Sequence, residues 1–94
     1  MMQFNSKIIP HPDVVSTEME DNEAVLLHLT TKKYYSLNET GLRIWQMLGK
    51  GSTPMQISEG LQCEFNITPE KANDSVMSLL KELAHEQLIE VDCA

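Results

Sequence analysis

At Asn38 the apolar residues of this chain change their spacing. Upstream they recur at about every second position, downstream at every third or fourth. A period of two belongs to strands and a period near 3.6 to helices. The chain must therefore build strands first and helices afterwards, a segregated α+β order. Its 94 residues give room for one domain, which buries only ~60–65% of the surface exposed on unfolding.

Residues 1–12 carry no clear pattern and end in Pro10-His11-Pro12, which favours extended backbone; they are expected to be a flexible N-terminal segment. From Asp13, Val15, Thr17 and Met19 alternate with polar residues, as in a half-buried strand. Asp21-Asn22 reads as a turn. Ala24 to Thr30 is apolar on nearly both faces, with Val25, Leu27 and Leu29 on one and Leu26 and His28 on the other, which suits a central strand. After a short connection at Thr31-Lys32, Lys33 to Leu37 reads as a third strand, rich in aromatics.

Asn38 is a suitable N-cap for the first helix, whose inward stripe contains Leu42, Trp45 and Leu48. Thr53-Pro54-Met55-Gln56 combines a capping Thr, a Pro at the first helical position and a Gln at the capping-box position. Ile57, Leu61 and Phe65 give that second helix its buried face, and Thr68-Pro69-Glu70 opens a third. The third helix is expected to bury Ala72, Val76, Leu79, Leu80 and Leu83, and Leu88 to Val91 to form a short strand or extended tail. The fold class is thus α+β: a three-stranded antiparallel meander followed by a three-helix, winged-helix-like bundle. Residues 13–91 form the domain and residues 92–94 a C-terminal tail.

Seven Lys and Arg against fourteen Asp and Glu leave a net charge of −7. This opposes binding to nucleic acid or anionic lipid, which needs cationic side chains to displace counterions. No apolar run approaches the ~20 residues of a membrane span, and the N-terminus lacks the pattern of a signal peptide; a soluble, cytoplasmic protein is expected. Cys63 and Cys93 are far apart and are read as ordinary free thiols. His11, His28 and His85 are dispersed without metal-ligand spacing, and no phosphate loop or nucleophile–base set is present. No metal, no cofactor and no catalysis are expected.

The run Ala24 to Leu29, then Lys33-Tyr34-Tyr35-Ser36-Leu37-Asn38-Glu39-Thr40-Gly41 with Ile44-Trp45 following, resembles the PqqD-like family, the precursor-peptide recognition elements of ribosomal peptide natural-product pathways. The resemblance extends through Gly51-Ser52-Thr53 and Asp74-Ser75-Val76 to Leu88-Ile89, where Gln87 stands in place of a glycine common in the family. It implies a binding module without catalytic residues, which holds the leader segment of a precursor peptide as an added strand, in a cleft closed by the third helix. Stand-alone members of this style are most similar to those of lasso-peptide pathways, where the implied partners are a leader peptidase and a cyclase. Other members serve radical-SAM enzymes.

The residues support such a role independently. The third strand of a meander is an edge, and an edge offers unpaired N–H and C=O groups to an extended peptide. Lys33, Tyr34, Tyr35, Ser36 and Leu37 are the candidate peptide-binding residues on that strand. Asp74, Met77, Ser78 and Lys81, spaced for one helix face, are the candidates for the opposite wall. Each has a plainer role: Tyr35 and Leu37 as core, Met77 as filler, Lys32 and Lys33 as guards of an exposed edge. The same edge leaves open a homodimer, paired or swapped. The main rival is a winged-helix DNA-binding regulator. Its third helix would carry Lys71 and Lys81 against Glu70, Asp74, Glu82 and Glu86, a balance that phosphates repel.

Overall fold

The computed structural model describes residues 7–92, the side chains of residues 91 and 92 excepted. Strands β1 (Lys7–Pro10), β2 (Val14–Met19), β3 (Glu23–His28) and β4 (Tyr34–Leu37) precede helices α1 (Glu39–Gly49), α2 (Pro54–Phe65) and α3 (Pro69–His85); β5 (Ile89–Asp92) follows. The α+β order and the three-stranded meander are as the periods require. β2, β3 and β4 pair antiparallel in that spatial order.

The turns explain why the meander folds back where it does. Asp21 and Asn22 between β2 and β3 take φ of 64° and 59°, a left-handed conformation that short polar side chains tolerate. Between β3 and β4 the His28 ring is buried, and its Nδ1 accepts the backbone N–H groups of Thr30 (3.2 Å) and Thr31 (3.3 Å). This histidine shapes the hairpin from inside. The tilted ring of His11 stands 4.6 Å away, centroid to centroid.

Each helix begins with its expected cap. The Asn38 side chain accepts from the Gly41 N–H, that of Thr68 from the Lys71 N–H, and Thr53 and Gln56 form the reciprocal capping box. α1 brings Leu42, Ile44, Trp45, Met47 and Leu48 to the core, α2 brings Ile57 and Leu61, and α3 brings Ala72, Val76, Leu80 and Leu83. They meet Ala24, Leu26 and Leu37 from the inner face of the meander. Buried Ser58 of α2 donates to the Asn73 carboxamide of α3, satisfying its hydroxyl at the helix–helix contact.

Two expectations are corrected. Residues 7–10, inside the segment read as flexible, form β1, which pairs with β5: Ile8 lies opposite Val91 and is itself buried. The strand is four residues long with one core side chain, too little alternation to register as a period. β2 is also not half-buried: Val15 and Met19 are 45% and 55% exposed. Ser16 and Glu18, opposite buried Leu26 and Ala24, are exposed as well, so β2 overhangs the helical layer. Cys63 is an exposed free thiol; Cys93 lies outside the described residues.

Candidate functional site

The site follows from the parity of the β3–β4 ladder. The His28 N–H donates to the Lys33 carbonyl at 2.9 Å, and Leu26↔Tyr35 and Ala24↔Leu37 continue the register. Hydrogen-bonded and non-bonded pairs alternate in an antiparallel ladder. Tyr35 and Leu37 therefore turn their amide groups towards β3, whereas Tyr34 and Ser36 turn theirs outwards. Among the described residues no strand pairs with that outer side of β4, and the C-terminal β5 pairs with β1 instead.

Side chains alternate the other way. Leu37 and Tyr35 point inwards, Leu37 buried and Tyr35 half-buried, while Tyr34 is 74% exposed. Beyond the inward side of β4 runs a groove walled by α3, formed of three adjoining hollows. One, about 300 Å³, is lined by Glu23, Tyr35, Ser36, Leu37, Gly41 and Leu79. The second, about 310 Å³, includes Thr40, Ile44, Ser75, Ser78, Leu79 and Glu82. The third, about 430 Å³, lies between Tyr35 and Lys81, Glu82, His85 and Glu86. Gly41 lets the first turn of α1 close the end of the groove: a Cβ there would stand 3.2 Å from Leu37 Cδ2.

The Tyr35 hydroxyl crosses the groove and donates to the Glu82 carboxylate. That bond, then burial, then the charges of Glu82 and Glu86 raise the phenol from 10.0 to about 12. Apolar floor residues flanked by free amides and carboxylates suit an extended peptide better than a compact metabolite. Among the described residues no cluster of three or more His, Cys, Asp or Glu is placed to hold a metal ion, and no helix is long and apolar enough to cross a membrane.

The expected residues are only partly brought together. Tyr34, Tyr35, Ser36 and Leu37 form β4, and Lys33 immediately precedes it, exposed. Ser78 and Lys81 line the groove. Asp74 is exposed and Met77 half-buried, and neither lines these hollows. Beside Lys81 at the third hollow, the wall is Ser75, Ser78, Leu79 and Glu82, a face turned by one residue from the expected one. Leu79 is the cause. Counted as core from its type, it is half-buried and lines the groove, because Ala72, Val76, Leu80 and Leu83 already complete the stripe. That the stripe held one leucine more than its spacing needs was the available signal.

Fold and groove define a class: a meander whose open β4 edge is set beside the last helix of a winged-helix-like bundle. The chain belongs to the PqqD family, whose description, coenzyme PQQ synthesis protein D (PqqD), matches residues 23–89. Among solved structures it is similar to TbiB1 in complex with the TbiA(beta) leader peptide, at 33% identity and a TM-score of 0.81, over 87% of this chain and 94% of that one. Lasso peptide synthetase B1 complexed with the leader peptide shares the fold, at 22% identity and a TM-score of 0.80, over 88% and 96% of the two chains. No curated protein matches.

Proposed function

We propose that this protein binds the leader segment of a ribosomally made precursor peptide and delivers it to a maturation enzyme, without catalysing a step itself. The leader adds antiparallel to β4, accepts from and donates to the outward amide groups of Tyr34 and Ser36, and directs alternate side chains into the groove against α3. The observation that carries this reading is the open β4 edge beside a groove lined by Leu37 and Leu79, in a chain 33% identical to one solved with a leader peptide. Lys33, Tyr34, Tyr35, Ser36, Leu37, Ser78 and Lys81 remain in the proposed contact set; Ser75, Leu79 and Glu82 join it, and Asp74 and Met77 move to its margin. The resemblance to the stand-alone recognition elements of lasso-peptide pathways supports a peptidase and cyclase over a radical-SAM enzyme as the recipients.

The energetics are adequate. Micromolar affinity requires about −8 kcal/mol. Two apolar side chains at about 2 kcal/mol each, with several edge hydrogen bonds near 1 kcal/mol, supply much of that before the ordering cost of the peptide is subtracted. The test is calorimetric titration with the cognate leader peptide and with the TbiA(beta) leader. Micromolar or tighter binding of the cognate leader is expected, and no binding at 1 mM overturns the reading. α3 and its C-cap Glu86 together carry four carboxylates against two lysines, so duplex DNA at low salt is expected not to bind.

A further inference from the structure

Among the described residues, none covers the side of the β2–β3–β4 sheet that faces away from the helices, and apart from the row Thr17, Val25 and Ser36 its strand residues are mostly large and apolar. Val15, Leu27 and Tyr34 lie opposite one another in a row across all three strands. Val25 adjoins the row half-buried, Leu29 is 46% exposed at one end, and exposed Met19 extends the face at the other. Four of the six large apolar side chains most exposed among the described residues, Val15, Met19, Leu29 and Tyr34, belong to this face. Concentration on a single face sets these side chains apart from scattered exposure, and the largest apolar patch of a monomer is often functional. Its rim is graded in charge: Glu20, Asp21 and Glu23 stand at the β2–β3 turn, and Lys32 and Lys33 at the opposite hairpin.

We propose that this face is the docking surface for the enzyme that acts on the carried peptide, which meets Val15, Leu27 and Leu29 with apolar side chains and the Glu20–Asp21–Glu23 end with basic ones. The inference rests on the peptide-carrier reading and extends it to the recipient. Continuity favours this occupant. A leader strand added at β4 lengthens the sheet by one strand and lies beside Tyr34, so an enzyme seated on the outer face touches carrier and peptide together. Such an enzyme distinguishes loaded carrier from empty, and by linkage its docking tightens the grip on the leader. A second copy fits less well. Three strands about 4.8 Å apart and about 20 Å long present on the order of 300 Å², so two copies face to face fall short of the roughly 1,200 Å² of a stable interface, whereas an enzyme gains the added leader strand as further contact and docks only transiently. Each copy also carries a charge of −7.

The test mixes full-length carrier, cognate precursor and the purified peptidase that removes its leader, and compares wild type with Val15→Asp, Leu29→Asp and the pair Glu20→Lys/Asp21→Lys. Circular dichroism melting establishes that each variant folds. Leader affinity is expected to stay within about twofold of wild type, while the carrier concentration giving half-maximal cleavage rises at least tenfold. Unchanged half-maximal concentrations overturn the proposal, as does loss of leader binding in a folded variant. Sedimentation of carrier alone is expected to give a monomer; a dimer abolished by Val15→Asp assigns the face to a second copy instead. Failure of wild-type carrier to bind leader is a separate result, and counts against the carrier reading itself.

Discussion

The Tyr35 hydroxyl on β4 donates to the Glu82 carboxylate on α3, tying the strand to the helix across the groove between them. Both groups lie where an added strand would direct its side chains. A peptide seated there must open the bond or pass over it, so the Tyr35–Glu82 bridge sets part of the resistance to entry.

Replacing Glu82 by Ala removes the largest cause of the raised Tyr35 ionisation. The phenol is expected to titrate back towards 10 from about 12, as read by alkaline titration of labelled tyrosine in NMR spectra. The sign for stability follows. A folded-state pKa above the unfolded one contributes stability that is full below pH 10 and is lost as the pH rises through about 12. The variant should therefore show a smaller alkaline loss of stability than wild type.

Ser36→Pro deletes an outward N–H and leaves the ladder with β3 intact, because Ser36 belongs to a non-bonded pair with Val25. The melting temperature is expected to move by a few degrees at most, while leader binding falls at least tenfold. Tyr35→Pro is a different experiment: its N–H faces Leu26, so the sheet itself is damaged.

Gln87 occupies φ of 61° immediately before Leu88, where a β-carbon is costly and glycine is not. Gln87→Gly is expected to stabilise the fold by about 1 kcal/mol, after the added flexibility of the unfolded chain is subtracted. Chemical denaturation measures it as a higher midpoint at unchanged slope.

The pairing of β1 with β5 is expected to be part of the cooperative fold. Ile8 is 1% exposed, so Ile8→Ala should cost about 2–5 kcal/mol in denaturant unfolding. A loss below about 0.5 kcal/mol would mean that the strand is an independent appendage.

The periods and caps of the sequence located β3, β4 and all three helices, since alternation, Asn38, Thr53 and Thr68 are local signals. What escaped is non-local. β1 owes its existence to β5 at the far end of the chain, and the exposure of β2 depends on how far the helical layer reaches. The groove wall depends on which leucines the core has room for: type alone places Leu79 inside, while packing turns it to the cleft beside Ser75 and Glu82. The edge strand Tyr34 to Leu37, on which the candidate site is built, was legible because edge position and strand order follow from topology.

The most direct test of strand addition at β4 is amide hydrogen exchange with and without saturating leader peptide. The outward amides of Tyr34 and Ser36 are expected to gain protection of at least tenfold. Those of Ser16 and Glu18 on the opposite sheet edge, outward by the register that the Leu29 N–H to Asp13 carbonyl bond sets, should be unchanged. Protection at Ser16 and Glu18 with none at Tyr34 and Ser36 would contradict the account.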